Sequence, residues 1–230
     1  MLEFLVRIIL KTFSWLSLGF GRLIGVGIGY ANMLFNSRVA QTTAENIDLC
    51  FADLSAAERK ALYRQSLINT GKTLMETPAI WLGKLSKLEA KILEVENVEL
   101  LTRSREENQG LLILLPHLGN WEVLNVYLAD KDINMTALYK EPSQPWMRNI
   151  MAEVRSHFGS NMVPTTKRGI AQLFRVLKGG DVVVVLPDQV PAAGEFAPFF
   201  GEPALTDRLV SKLVAKCAPK VICCTVPRVP

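Results

Sequence analysis

From residue 111 to the end of the chain, short apolar runs alternate with amphipathic segments, and this alternation restricts the possible folds more than any other feature. Each run has the length of a buried strand, and each following segment has helical periodicity. We predict strands over residues 111–115, 135–139, 162–164, 182–186 and 221–226, and helices near 120–129, 146–157, 169–178 and 206–217. Because such alternation produces parallel strands joined by right-handed crossovers, the sequence predicts an α/β fold with a mostly parallel sheet flanked by helices.

The region before the sheet has helical patterns throughout, and we predict a helical preface packed on the core over residues 41–110. Helices are expected over 43–50, from 55 through 81, and over 85–93. Ser55 and Glu58 have the spacing of a capping box, in which two side chains bond each other's backbone N–H groups at a helix start. No linker precedes residues 111–230, the predicted α/β core, so we expect one main domain.

Residues 1–40 are predicted to form a membrane-anchor or interfacial helix. The longest uncharged run, 23–37, is shorter than the ~20 residues of a simple membrane span. On a helical wheel, basic and small residues share one stripe. The stripe contains Arg7, Lys11, Ser14, Gly21, Arg22, Gly25, Gly29, Asn32 and Asn36. It could turn its bases toward lipid phosphates or pack closely on another helix through its glycines. A buried core helix is the alternative, whereas Glu3 disfavours a cleaved signal peptide.

The composition favours a membrane-associated enzyme. Of 230 residues, 49% are hydrophobic and 21% are charged, which is apolar for a soluble protein but not for a multi-span one. The formal net charge of +4 suits anionic lipids, phosphorylated substrates or an acidic carrier protein and is too small to indicate nucleic acid. The four cysteines lack metal-ligand or secreted-framework spacing, so we expect buried, reduced thiols.

Polar side chains follow four of the predicted strands, where parallel sheets bind their ligands. His117 follows the first strand, Lys140 and Glu141 the second, Lys167 and Arg168 the third, and Asp188 and Gln189 the fourth. Because the carboxyl ends of parallel strands meet at one edge, the sequence predicts a single site there.

The segment from His117 to Glu122 is the sharpest candidate within this site. The two side chains would point apart on a continuous helix, so they can meet only if the chain turns first. Gly119 tolerates a positive φ and Asn120 is a good N-cap, which together predict that turn. Glu122 would then bond one ring nitrogen of His117 and leave the other as a base. Taken alone, the histidine could be structural and the glutamate a capping charge.

Together these motifs resemble the late lipid A biosynthesis acyltransferases, within the larger group of His-x4-Asp/Glu glycerolipid acyltransferases. In chain order, the matching motifs are residues 46–51 with Leu54, Ser55, Glu58 and Arg59, then His117 to Glu122, Arg168-Gly169, Leu186 to Gln189, and Phe196 to Gly201 with Thr206. Two departures stand out. Val190 occupies a position that is acidic in many relatives, and relatives continue past the last predicted strand, so the chain ending at Pro230 is expected to be a truncated form.

The resemblance implies an enzyme that transfers a fatty acyl chain from acyl carrier protein to a hydroxyl of a lipid A precursor, as a late step of lipopolysaccharide biosynthesis. It implies no cofactor and no metal, and it places the protein at the cytoplasmic face of the cell inner membrane. The expected partners are acyl carrier protein, the lipid A precursor and membrane lipids, without nucleic acid. The implied catalytic residues are His117 and Glu122, and the implied substrate-binding residues are Arg168, Lys140, Asp188, Gln189, Arg148 and Lys167.

Several roles and alternatives remain open at this point. Arg168 is the first candidate for an oxyanion donor, followed by backbone amides after His117. Arg148 and Arg155 share a helix face that could bind phosphates or simply face solvent. The Phe196, Phe199 and Phe200 side chains could line an acyl groove or plug a loop. The alternatives are an acyltransferase for another phosphorylated or glycosylated lipid and a non-catalytic membrane-anchored lipid-binding protein. A metal-dependent sugar-nucleotide transferase using Asp188 is poorly supported, because no second acid follows at suitable spacing.

Overall fold

The computed structural model describes residues 1–106 and 109–229, including every side chain except those of 103–106, 155 and 156. The chain divides into two compact units. The first unit comprises Met1–Ile8, Ile80–Val190 and Asp207–Pro230. The second comprises Ile9–Ala79 and Pro191–Thr206.

Helices precede the first strand. After it, helices and strands alternate except for one run of three consecutive strands. The helices are α1 (Leu2–Ser14), α2 (Leu18–Leu34), α3 (Arg38–Cys50), α4 (Ala56–Leu82), α5 (Leu85–Glu89), α6 (Glu99–Glu106), α7 (Glu122–Asp130), α8 (Pro145–Ser156), α9 (Lys167–Lys178) and α10 (Leu209–Cys217). The strands are β1 (Leu111–Leu114), β2 (Met135–Tyr139), β3 (Asn161–Pro164), β4 (Val182–Val185), β5 (Glu195–Phe199), β6 (Glu202–Thr206) and β7 (Lys220–Cys223).

The first unit is built on a five-stranded sheet of order β3-β2-β4-β1-β7 in which every strand pair is parallel. Side chains alternate between the faces of a strand. Leu111 and Ile113 therefore pack on one face with Leu124 and Leu128 of α7. Leu112 packs on the other face with side chains of α9 and α10. Because helices cover both faces, the strands are continuous apolar runs. The predicted α/β fold with a mostly parallel sheet is confirmed.

A separate antiparallel hairpin, β5 and β6, was not predicted from the sequence. Pro198 pairs with Pro203 in the middle of this ladder. Proline lacks a backbone N–H donor and is disfavoured within strands. The hairpin could therefore not be predicted from the pattern of apolar residues. The helix predicted to start near residue 206 begins at Leu209 instead, because Thr206 ends β6.

The glycines of α2 pack closely on α4 in the second unit. A Cβ at Gly25 would lie 2.6 Å from the Gly71 carbonyl oxygen, and one at Gly29 would lie 2.7 Å from the Ile68 Cα. Helix backbones this close require glycine at the contact. Arg22, from the same stripe, pairs with Glu76 at 2.6 Å. The close-packing interpretation of the stripe therefore holds for these glycines.

The single N-terminal helix expected from the sequence is wrong. α1 ends at Ser14 and α2 begins at Leu18, with the Ser17 hydroxyl accepting the Phe20 N–H. Serine is a strong N-cap, and it starts a new helix here. Within the described residues no single helix has the length and hydropathy of a membrane span, while α2 and α3 meet both criteria only as a pair bent by 80°. The membrane anchor stays a prediction.

The corner between α3 and α4 contains the predicted capping box. Glu58 Oε2 accepts the Ser55 N–H at 2.8 Å, and Ser55 Oγ accepts the Glu58 N–H at 3.3 Å. The Ser55 hydroxyl also donates to Glu58 Oε2 at 2.7 Å, and this bond, together with the one from the Ser55 backbone N–H, lowers the pKa of Glu58. Arg59 bonds Asp48 at 2.9 Å and donates to the Leu54 carbonyl oxygen at 2.5 Å. The N-terminal motif thus fixes a helix corner.

The cysteines are only partly as expected. All four are free thiols, but Cys223 is exposed, so the expectation of burial is wrong for it. Cys223 lies on β7, which is an edge strand of the sheet. Its neighbour Cys224 is partly buried, and burial raises the pKa of the Cys224 thiol.

Candidate active site

The loop between β1 and α7 is fixed by the chain that follows β7. Gly119 has a φ of 65°, a conformation that glycine adopts without steric cost. Its neighbour Asn120 donates its backbone N–H to the Val226 carbonyl oxygen at 2.9 Å. A Cβ at Gly119 would overlap that same carbonyl group. The turn predicted at Gly119 is therefore confirmed, and it depends on close contact between two backbone segments.

The N-cap predicted at Asn120 is wrong by one residue. α7 begins at Glu122, and its N-cap is Trp121. The Asn120 backbone is bound to Val226 through its N–H, so it belongs to the loop. Its carbonyl oxygen accepts the Val123 N–H at 3.1 Å and leads into the helix.

The His117 side chain is bonded to Asp188, which follows β4. Asp188 Oδ1 lies 2.8 Å from His117 Nδ1, and Asp188 Oδ2 accepts the His117 backbone N–H at 2.7 Å. The two side chains are 25% and 34% exposed, so a substrate can approach them from solvent. β1 and β4 are adjacent and pair from Leu111 opposite Val182 to Leu114 opposite Val185. Their following loops therefore leave the sheet side by side.

Gln189 and Trp121 flank the same imidazole ring. Gln189 Nε2 lies 3.3 Å from His117 Nε2. The Trp121 ring contacts the imidazole edge-on, with ring centroids 4.5 Å apart. Residues that follow separate strands thus meet at one edge of the sheet, as predicted for His117, Asp188 and Gln189.

Glu122 is the first residue of α7 and is only 7% exposed. A carboxylate at a helix N-terminus is stabilised by the helix dipole and by the N–H groups of the first turn. The contacts described for the His117 ring involve Asp188, Gln189 and Trp121. The pairing of His117 with Glu122 stays a prediction.

The predicted basic residues are spread along the sheet edge. Lys140 follows β2, whereas Lys167 and Arg168 open α9 after β3, and all three are exposed. β3 is separated from β1 by β2 and β4. At ~4.8 Å per strand, the axes of β3 and β1 are roughly 14 Å apart. This spacing disfavours Arg168 as the donor to an oxyanion at His117, and its role in substrate binding stays a prediction.

Two polar side chains order the chain that follows β2. Arg148 donates to the carbonyl oxygens of Pro142 and Ser143 at 3.0 and 3.5 Å. The Tyr139 hydroxyl donates to Glu141 at 3.2 Å, and burial together with this carboxylate raises the pKa of Tyr139. Arg148 therefore also supports the loop beside the site. The side chain of Arg155, its predicted companion, lies outside the described part of the chain.

The aromatic side chains of the hairpin were predicted to line a groove or plug a loop. Phe196, Phe199 and Phe200 are 73%, 59% and 55% exposed, which contradicts a buried plug. The Phe200 ring contacts Phe51 with centroids 5.1 Å apart. Two motifs far apart in sequence therefore meet in the second unit, and the acyl groove stays a prediction.

Two features of the site were not predicted from the sequence. Trp121 had no predicted role, although an aromatic residue within the His117 to Glu122 segment was a usable signal. The contact with Val226 was not predicted, because nothing in the sequence indicates that β7 lies beside β1. Across residues 1–106 and 109–229, no group of three or more His, Cys, Asp or Glu side chains is arranged to hold a metal ion.

Comparison with known proteins identifies the family. Residues 1–230 match the sequence profile of the bacterial lipid A biosynthesis acyltransferases. The chain belongs to this family.

Individual relatives are similar at modest identity. The lipid A biosynthesis palmitoleoyltransferase of Escherichia coli K12 is 27% identical over 179 residues, which cover 77% of this chain and 57% of the relative. The myristoyltransferase of the same organism is 22% identical over 77% of this chain and 55% of its own length. The lauroyltransferase of this organism is 24% identical over 77% of this chain and 57% of its own length. The match thus spans little more than half the length of these relatives.

Proposed function

We propose that this chain transfers a fatty acyl group from acyl carrier protein to a hydroxyl of a lipid A precursor. The supporting observation is the His117 imidazole, bonded to a carboxylate at the carboxyl edge of the sheet in a member of this family. The relatives named above are acyltransferases of lipid A biosynthesis that differ in the acyl chain of their names. All three names describe the transfer of a fatty acyl group.

The first step is nucleophilic attack assisted by a general base. His117 Nε2 accepts the proton of the substrate hydroxyl while the hydroxyl oxygen forms a bond to the thioester carbonyl carbon. Glu122, buried at the start of α7, adds negative charge that favours the imidazolium. The second step breaks the carbon–sulfur bond, and the imidazolium returns its proton to the departing thiolate. An ester and a free carrier thiol result, without a covalent acyl-enzyme.

The developing oxyanion needs hydrogen-bond donors close to Nε2. The backbone N–H groups of Leu118 and Asn120 are already bonded to Pro116 and Val226. The Gln189 amide, 3.3 Å from His117 Nε2, is better placed than Arg168 to donate to the oxyanion. Arg168, Lys140 and Lys167 are then available for the phosphates of the lipid or the acidic face of the carrier protein.

The proposed location is the cytoplasmic face of the inner membrane, where the activated acyl carrier is available. The second unit exposes Phe20, Leu23 and Leu34 on α2, opposite its buried glycines. Exposed apolar side chains of this kind suit contact with a lipid surface.

The decisive experiment measures acyl transfer from labelled acyl carrier protein to a Kdo-bearing lipid A precursor. Membranes containing the unaltered chain are compared with membranes containing Glu122→Ala and with membranes lacking the chain. We expect an acylated product with the unaltered chain and at least about a 100-fold slower reaction with Glu122→Ala, because the imidazolium loses its stabilising charge.

A lipid A acyltransferase from Escherichia coli serves as the positive control. No transfer by this chain in membranes where the control is active would contradict the proposal. Transfer to a different phosphorylated or glycosylated lipid would replace the acceptor while keeping the reaction. Saturable lipid binding without transfer would instead indicate a lipid-binding protein.

A further inference from the structure

We infer that Asp188 is a positioning residue that holds His117 in the tautomer required of a general base. The sequence assigned Asp188 to substrate binding and the orientation of His117 to Glu122. The hydrogen bonds of the imidazole give Asp188 an orienting contact of its own. This inference rests on the proposed function, because the value of that tautomer lies in leaving Nε2 free to accept a proton.

The two oxygens of Asp188 face two donors of the same residue. One accepts the His117 backbone N–H at 2.7 Å, and the other lies 2.8 Å from His117 Nδ1. These distances are typical of charge-assisted hydrogen bonds. A carboxylate only accepts, so the proton of the neutral ring lies on Nδ1.

The opposite side of the ring agrees with this assignment. Gln189 Nε2 lies 3.3 Å from His117 Nε2. An amide nitrogen only donates, so it faces a lone pair on the imidazole. The edge-on contact with Trp121 further limits rotation of the ring. The lone pair of Nε2 therefore points to the position where a substrate hydroxyl would replace the Gln189 amide.

The sheet determines this pairing. Leu114 ends β1 opposite Val185, which ends β4, and Leu115 donates its N–H to the Val185 carbonyl oxygen at 2.9 Å. His117 and Asp188 each lie three residues after the end of their strand. Because buried strands fix the two loops, the hydrogen bonds between them are preorganised rather than formed on substrate binding.

The chain provides an internal comparison because it contains only two histidines, His117 and His157. His157 Nε2 lies 3.0 Å from the Gly83 carbonyl oxygen, which only accepts. His157 is therefore expected as the Nε2–H tautomer and His117 as the Nδ1–H tautomer. Nitrogen NMR of the unaltered chain with labelled imidazoles distinguishes them, at a pH above the ordinary titration range of histidine.

The variant Asp188→Asn tests whether Asp188 determines the tautomer of His117. Its single amide oxygen can accept from only one of the two donors, and the backbone N–H cannot change its role. The amide nitrogen then faces Nδ1 and donates to it, which moves the ring proton to Nε2. We expect the His117 spectrum to change to the Nε2–H tautomer and kcat for acyl transfer to fall about 1,000-fold, with little change in KM.

Asp181→Asn is the matched control, since Asp181 precedes β4 at the opposite end of the same strand. It should leave the His117 tautomer and the rate unchanged.

Three results would overturn the inference: an Nε2–H tautomer in the unaltered chain, an unchanged tautomer in Asp188→Asn, or a changed tautomer with an unchanged kcat. Failure of the proposed function would be visible separately, as absence of transfer by the unaltered chain. The unaltered spectrum would still decide whether Asp188 holds the ring, even if Asp188→Asn failed to fold.

Discussion

At the scale of single residues, the site depends on glycine at position 119. Its backbone has a positive φ, and the Val226 carbonyl group occupies the space where a side chain would begin. Gly159 also has a positive φ, of 72°, but a Cβ added there would have its nearest neighbour 3.8 Å away. Substitution of Gly159 therefore tests the effect of backbone strain alone, whereas substitution of Gly119 adds steric overlap in the same unit.

We expect Gly119→Ala to destabilise the first unit more than Gly159→Ala does. Both substitutions should cost roughly 1–2 kcal/mol for the left-handed backbone. Overlap with a backbone carbonyl should add about 1–3 kcal/mol at Gly119 alone. Urea unfolding followed by circular dichroism measures both free energies of unfolding. Equal losses for the two variants would show that the Val226 contact does not constrain the loop.

The residues that form the site were predicted more reliably than the contacts between them. His117, Asp188 and Gln189 were predicted at one edge because each follows an apolar strand. The bond between His117 and Asp188 was not predicted, because it requires β1 and β4 to be neighbours although β2 and β3 lie between them in sequence. Strand order depends on packing of the whole sheet, which local patterns do not contain.

At the scale of elements, α2 and α4 depend on glycine at one face of α2. Gly25 faces the backbone of α4, whereas Gly27, on the same helix, has no neighbour within 4 Å of an added Cβ. The same glycine-to-alanine substitution can therefore be made on the packed face of α2, at Gly25, and on its open face, at Gly27.

We expect Gly25→Ala and Gly27→Ala to change stability in opposite directions. Gly25→Ala should lower the free energy of unfolding by about 1–3 kcal/mol, because backbone atoms of Gly71 and Lys72 cannot rotate away. Gly27→Ala should raise it by up to about 1 kcal/mol, because alanine favours the helix. Thermal unfolding in detergent, followed by far-UV circular dichroism, provides the measurement. Stabilisation by both variants would contradict close packing of α2 on α4.

Elements with a single strong pattern were predicted well. β2 has the bounds expected from its apolar run, and α4 begins at the predicted capping box. The break between α1 and α2 was not predicted, because the apolar pattern continues across it. The break depends on one residue, Ser17, which caps the start of α2. The β5 and β6 hairpin was missed because its prolines and exposed phenylalanines do not alternate like a half-buried strand.

At the scale of the whole molecule, the parallel sheet brings chemistry from distant parts of the sequence to one edge. His117 and Asp188 are separated by 71 residues and yet share two hydrogen bonds. The α/β class follows from the order of apolar runs and amphipathic helices, so it was predictable. The family follows from the sequence match over residues 1–230.

His117 is the proposed general base, and the two histidines of the chain allow a direct test of that role. His117→Ala and His157→Ala are compared in single-turnover acyl transfer by the purified full chain, with the lipid A precursor as acceptor. His117→Ala should slow transfer by about 100-fold to 10,000-fold, whereas His157→Ala, which loses a bond to the Gly83 carbonyl, should keep most of the rate. Near-normal transfer by His117→Ala, or equal losses in both variants, would show that His117 is not the general base.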